Sequence, residues 1–311
     1  FPFDTGNQIW GSPASADVDG DGNLDVAITS KSKSLYLFDQ YGLKFEYDAN
    51  SFLMGTPAIG QLDDDDDLEI VVGGYSSSGK KIYAVNPDGS EVSGFPVDVG
   101  EKMIKGVALH DFNGNGKDDI VFGSDSDNIN LLLDDGTLSW SYPTGDRIQS
   151  APSIINTGSE ILICAGSKDD NLYCLRQNGE LKFSYETGYN VYTSPSAVDL
   201  DGTVGIFFGS DDGFIYGVDA NGNDLPGWPQ DAGGNIIGSI AFSDFDNDGI
   251  PEITSTNGAG QLLSYNIDGS LRQYFPITAD YPYAGSPHIQ DLDGDGDVEI
   301  FTGSTNTLVV T

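Results

Sequence analysis

Nine residues near the amino terminus carry four carboxylates at alternating positions: Asp17-Val18-Asp19-Gly20-Asp21-Gly22-Asn23-Leu24-Asp25. Acids stand at loop positions 1, 3, 5 and 9, with glycine at 6. Alternate residues of a tight loop aim their side chains at one centre. Carboxylates gathered in this way repel one another unless a cation sits among them. Calcium takes about six to eight hard oxygen ligands. The carbonyl of position 7, here Asn23, adds one, and the acid at 9 binds through both oxygens. Magnesium keeps its water and needs a tighter octahedron, so it fits such a loop less well. An extended run follows the last acid at once, so this is not a helix–loop–helix site.

The pattern recurs. Asp244, Asp246, Asp248 and Glu252 repeat it with the carbonyl of Ile250, and Asp291, Asp293, Asp295 and Glu299 with that of Asp297. A more neutral version has Asp111, Asn113, Asn115, the Lys117 carbonyl and Asp119. Another has Gln61, Asp63, Asp65, the Asp67 carbonyl and Glu69, with Asp66 in place of the position 6 glycine. Five calcium sites are expected. Seventeen of the 49 acids fall at these positions, so about a third of the acidic excess, net −36 against 13 Lys and Arg, reads as metal chemistry rather than solvated surface. The same field excludes nucleic acid and anionic membrane surfaces as partners. No apolar run reaches the ~18 residues of a membrane span. The start, Phe1-Pro2-Phe3-Asp4, does not read as a signal peptide.

What positions these loops is a repeat. Turns recur at Asp39-Gln40-Tyr41-Gly42, Asn86-Pro87-Asp88-Gly89, Asp134-Asp135-Gly136, Gln177-Asn178-Gly179, Ala220-Asn221-Gly222 and Ile267-Asp268-Gly269. Asp-Gly and Asn-Gly between apolar residues are hairpin signals, because both partners accept positive φ. The turn glycines are 47, 47, 43, 43 and 47 residues apart. Each unit reads as four strands. Strand A follows a Ser-Pro-like start. Strand B is a continuous apolar run such as Ile120-Val121-Phe122, fit for burial on both faces. Strand C precedes the turn and strand D follows it.

Four-stranded units of about 40–45 residues predict an all-β chain folded as a β-propeller. Strand A begins near Pro13, Pro57, Val107, Pro152, Pro195, Ile240 and Pro287, which makes seven blades. One domain is expected over residues 1–311, with blades starting near 11, 55, 105, 150, 193, 238 and 285. The last unit ends at strand C. Residues 1–6 resemble the strand D segments Gly94-Phe95-Pro96 and Gly227-Trp228-Pro229, so they are expected to complete blade seven and close the ring. Blades four and five lack the metal loop. From Pro13 to Ser30 is 17 residues, but Pro152 to Ser167 and Pro195 to Ser210 span 15. Calcium is therefore expected in blades 1, 2, 3, 6 and 7.

With Phe122-Gly123, Gly11-Ser12-Pro13, Gly285-Ser286-Pro287 and these loops, the chain resembles the FG-GAP repeats of integrin α-subunit propellers and their bacterial relatives. Its Phe-Gly and Gly-Ala-Pro elements are imperfect. The resemblance implies calcium binding and a secreted or cell-surface role in adhesion or glycan binding.

Cys164 and Cys174 fall on strands B and C of blade four, equidistant from residue 169. They read either as a cross-hairpin disulfide, formed in an oxidising compartment, or as two buried thiols. His110 and His288 sit on strand A and read as packing or channel residues. Tyr36, Tyr83, Tyr173 and Tyr216 repeat with the blades and read as core. No nucleophile motif or phosphate loop occurs. Three functions compete: a calcium-stabilised module binding a glycan or surface protein, a polysaccharide-degrading enzyme of lyase type, and a spacer in a larger surface protein. The chain has no inserted loop or second domain to build a deep cleft, which favours binding, by a monomer or by part of a larger surface protein. The A–B loops of the repeats are alike, whereas the D–A and B–C loops at the other end differ. The ligand is therefore expected at the calcium-free end, on Trp10, Tyr75, Tyr192 and Tyr283.

Overall fold

The computed structural model describes residues 2–283, 285–304 and 308–310. Every element in it is a β-strand, and the sheets follow chain order. Sheet one has β1 (Ala14–Ala16), β2 (Asp25–Thr29), β3 (Ser34–Asp39) and β4 (Gly42–Asp48). Sheet two has β5 (Ala58–Gly60), β6 (Glu69–Gly73), β7 (Lys81–Val85) and β8 (Val97–Asp98). Sheet three has β9 (Ala108–His110), β10 (Asp119–Gly123), β11 (Asn128–Leu132) and β12 (Leu138–Pro143). Sheet four has β13 (Ser153–Asn156), β14 (Ile161–Gly166), β15 (Asn171–Arg176) and β16 (Leu181–Glu186). Sheet five has β17 (Ser196–Asp199), β18 (Val204–Gly209), β19 (Phe214–Asp219) and β20 (Gln230–Asp231). Sheet six has β21 (Ala241–Ser243), β22 (Glu252–Thr256), β23 (Gln261–Tyr265) and β24 (Ile277–Thr278). Sheet seven, among the described residues, has β25 (His288–Gln290), β26 (Glu299–Gly303) and β27 (Leu308–Val310). All neighbouring strands are antiparallel, so within a sheet the first and third connections lie at opposite ends.

The chain forms two compact units, residues 1–154 with 177–179 and residues 155–176 with 180–311. In the first, Leu37, Leu53, Ile70 and Val85 join sheets one and two, and Val71, Ile82, Ile120 and Phe122 join sheets two and three. In the second, Cys164, Leu172, Ile206 and Phe208 join sheets four and five, and Phe207, Trp228, Ile253 and Tyr265 join sheets five and six. The second strands β6, β10 and β22 are buried at every position. This is the reason that, after the acid that heads each of them, their sequences are apolar or small-polar runs rather than alternating ones.

Each first strand starts one residue after the position expected for it. The fourth strands diverge. β4, β12 and β16 are long, whereas β8, β20 and β24 keep two residues each, because Pro96, Pro229 and Pro276 have no N–H to give to a ladder. Residues 2–6 carry no strand, and Phe1 lies outside the described residues. Phe3 nevertheless packs edgewise on Tyr36 at 5.4 Å and Phe38 at 5.0 Å. Tyr47 of β4 meets Tyr83 of the next sheet in the same way, at 6.1 Å. No helix among the described residues is long and apolar enough to cross a membrane.

Candidate metal centres and ligand face

The acidic loops join the first and second strands. Their carboxylates have two jobs. The position 1 aspartate accepts the amide of the position 6 glycine: Gly22 on Asp17 at 2.8 Å, Gly116 on Asp111 at 2.8 Å, Gly249 on Asp244 at 2.8 Å and Gly296 on Asp291 at 3.0 Å. The position 9 acid reaches back to the position 2 amide. Asp25 takes that of Val18 at 3.3 Å, Glu69 that of Leu62 at 2.5 Å and Asp119 that of Phe112 at 3.1 Å. Glu252 takes that of Phe245 and Glu299 that of Leu292, both at 2.8 Å. Asp17 and Glu69 thus fold their loops with one oxygen and keep the other for the centre, whereas Asp111, Asp119, Asp244 and Asp291 give both oxygens to amides of the chain.

Four clusters result, each of three acids whose nearest oxygens lie within 4.8 Å of one another: Asp17, Asp19 and Asp25; Asp63, Asp65 and Glu69; Asp244, Asp246 and Asp248; and Asp291, Asp293 and Asp295. Asp21, Glu252 and Glu299, expected to share these centres, stand outside them. Asp21 accepts the amide of Asn23 at 2.8 Å, and Glu252 faces the Arg272 guanidinium at 3.8 Å. The loop of sheet three gathers only two carboxylates. Asp119 is already engaged by the Phe112 and Asp134 amides and the Asn113 side chain. In sheet two the Gln61 amide donates to the carbonyls of Asp65 at 2.6 Å and Asp67 at 3.1 Å, so the carbonyl expected to face a cation is held inside the loop.

Two of these clusters hold buried oxygens without a protein partner, Asp17 Oδ1 and Glu69 Oε1. Glu69 is fully buried, and burial, opposed by the Leu62 amide, pushes its carboxyl up to about 7. An orphaned buried carboxylate oxygen carries a large desolvation cost. A hard cation shared with Asp63 and Asp65 removes that cost, so the donor set fits the metal implied by the loops. Sheet one has a competitor that spacing did not reveal. Lys44 Nζ lies 2.6 Å from Asp19 Oδ2 and 3.3 Å from Asp25 Oδ1, and the ammonium holds the Asp19 carboxyl below the usual carboxylate range.

Sheets four and five have short turns in place of the loops. Thr157 and Glu160 close one through the Thr157 amide, and Leu200 and Thr203 close the other. Beside the second, a cleft of ≈ 350 Å³ opens in the second unit, lined by Leu200, Leu225, Pro226, Ile250, Pro251 and Ile267. Sequence spacing showed the missing residues but not the space they leave. Cys164 and Cys174 stand directly opposite in the β14–β15 register and are joined at S–S 1.97 Å. His110 packs on Phe112 at 4.9 Å and His288 on Phe301 at 4.7 Å.

At the other end, Trp10 is 57% exposed, with Lys31 Nζ 4.7 Å from its ring centre. Tyr75 and Tyr192 are half-buried and carry Lys102 at 5.6 Å and Lys168 at 6.0 Å. Tyr283 is not a surface contact. It is 2% exposed and packs with Leu262 and Ile300, and its backbone bridges to Ser304.

Residues 244–302 match the model of the FG-GAP-like repeat, and residues 94–194 match that of the lambda-carrageenase β-propeller domain. No curated protein matches the chain in sequence. Among solved structures, the V. cholerae biofilm matrix protein Bap1 is similar at TM-score 0.74 and 12% identity, over 94% of this chain and 74% of that one. BBS1N, solved in complex with ARL6DN, is similar at TM-score 0.65 and 13% identity, over 98% and 92%. The WD40 β-propeller domain of Doa1 is similar at TM-score 0.60 and 15% identity, also over 98% and 92%. At these identities the likeness is one of fold.

Proposed function

We infer that this chain, whose residues 244–302 match the FG-GAP-like repeat, is a binding module of the cell exterior whose seven sheets are the blades of one calcium-stiffened ring. The observation that carries the reading is the Glu69 carboxylate, fully buried with Oε1 unpartnered beside Asp63 and Asp65. Calcium would be held there, by Asp17, Asp19 and Asp25, and by the aspartate triplets of sheets six and seven. The loop of sheet three, with two carboxylates, would bind most weakly. The ion neutralises charge and fixes the loop, and takes part in no reaction. Ligand, a glycan or a surface protein, binds at the opposite end of the sheets, on Trp10 and Tyr75 in the first unit and on Tyr192 in the second. The Cys164–Cys174 disulfide supports a secreted or surface location, as does the likeness to a biofilm matrix protein.

Calorimetric titration of chelator-treated protein with calcium tests the scaffold, and a glycan array read with calcium present tests the ligand class. Absence of calcium binding overturns the first part. A polysaccharide-degrading enzyme is the second reading, favoured by the match of residues 94–194 to the lambda-carrageenase β-propeller domain. Incubation with λ-carrageenan, followed by measurement of chain length, separates the two, because a binding module leaves the polymer intact.

A further inference from the structure

Of the 13 basic residues, five pair with carboxylates and three others in the first unit lie over aromatic rings. Lys44, Lys117, Arg176, Lys182 and Arg272 each pair with a carboxylate, and all five lie at the acidic-loop end of their sheets. Among the described residues, no other Lys or Arg has a carboxylate within the 4.0 Å of an ion pair. In a chain with 49 acids this needs a cause. At the opposite end of the first unit, three acids are turned onto backbone amides, while Asp125 accepts the Gln149 side-chain amide at 3.2 Å and the Tyr75 hydroxyl. Asp4 accepts Gly6 at 2.8 Å, Asp48 accepts Asn50 at 2.7 Å and Asp98 accepts Gly100 at 2.9 Å.

The lysines there rest instead on aromatic faces and neutral oxygens. Gln8 Oε1 accepts both Lys31 Nζ at 3.1 Å and Trp10 Nε1 at 3.2 Å, so one amide fixes ammonium and indole together. Lys33 Nζ lies 6.0 Å from the Phe52 ring centre and 3.4 Å from Asn50 Oδ1. Lys102 lies over Tyr75, whose amide donates to the Phe52 carbonyl at 2.9 Å. Three places at this end of the unit, two served by Lys31 and Lys33 of the β2–β3 loop and one by Lys102 ahead of β9, thus pair an aromatic face with an ammonium that has no carboxylate within 4.0 Å.

We propose that this end of the first unit binds an acidic polysaccharide, with Trp10, Phe52 and Tyr75 under sugar rings and Lys31, Lys33 and Lys102 on its carboxylate or sulfate groups. The proposal rests on the binding-module reading and names its ligand class. Ring faces suit the apolar side of a sugar, and an ammonium beside each ring selects a sugar that carries an anion. Double-stranded nucleic acid, with a charge about every 1.7 Å, would meet the repulsion of the whole acidic chain.

Affinity electrophoresis of the intact chain through polygalacturonate, dextran sulfate and neutral dextran tests it. Retardation by one or both anionic polymers and not by dextran is expected, and the polymer that retards tells carboxylate from sulfate recognition. The double variant Lys31→Gln/Lys102→Gln should weaken binding on the order of tenfold, as should Trp10→Ala, with melting temperatures unchanged. Binding of neutral dextran that survives the lysine changes but is lost with Trp10→Ala overturns the charge inference and leaves the binding face standing. Anionic binding indifferent to all three substitutions overturns both. No retardation by any polymer overturns this proposal.

Discussion

Lys44 and Lys182 hold the same place in their sheets, and each lays its ammonium on the carboxylate at the head of the second strand. Both are the bulged residue of a fourth strand, just before the phenylalanine that pairs with Leu37 in one case and Cys174 in the other. Lys44 reaches Asp25 at 3.3 Å, and Lys182 reaches Glu160 at 2.6 Å. Sheet four has no acidic loop, so Lys182, with Arg176 at 3.3 Å, supplies the positive charge there. In sheet one, Lys44 stands among the expected cation ligands. Lys182→Met should therefore lower the melting temperature equally with calcium and with chelator, at a cost of about 1 kcal/mol for a pair only partly buried. Lys44→Met should instead raise calcium affinity at one site in a calorimetric titration.

Glu69→Gln should change sign with calcium. In chelator the substitution removes a buried, unpartnered charge and places an amide beside Asp63 and Asp65, so the variant should melt above the parent. With calcium it removes a ligand and should melt below. The parent's own gain from calcium is about 2.7 kcal/mol per site at a hundredfold excess over Kd. Melts of both proteins in both buffers decide the matter, and parallel shifts would refute the metal reading at this loop.

The disulfide joins two fully buried residues ten apart in sequence. The chain-entropy estimate for so short a loop is roughly 3 kcal/mol. Cys164→Ala/Cys174→Ala should lower the melting temperature irrespective of calcium. In the native parent, alkylation without reductant should add no mass.

Two glycines should respond differently to alanine. At Gly55 a Cβ would stand 2.3 Å from the Lys105 carbonyl oxygen, backbone that cannot yield. Gly55→Ala should destabilise by about 3 kcal/mol, the range of overpacked sites. At Gly20, with φ +69, the space is open and only backbone strain opposes a side chain. Gly20→Ala should cost about 1 kcal/mol. Denaturant midpoints of the two variants test the ranking.

Strand starts, hairpin turns, the acidic loops and their loss in sheets four and five were legible in the amino-acid order. Each is set by neighbours a few residues apart: a glycine or aspartate that accepts positive φ, an apolar run, a carboxylate every second position. Other features were not legible, because they depend on residues brought together from afar. Glu252 and Glu299 carry the right spacing yet stand outside the acid triplets of their loops. Lys44 enters a loop from a strand two hairpins away, and Tyr283, read as an exposed aromatic, packs in the core with Leu262 and Ile300. The division of lysines between carboxylates and aromatic faces is of the same kind. Spacing settles where a side chain can start, but which charge or ring it finally meets is decided only when the sheets pack.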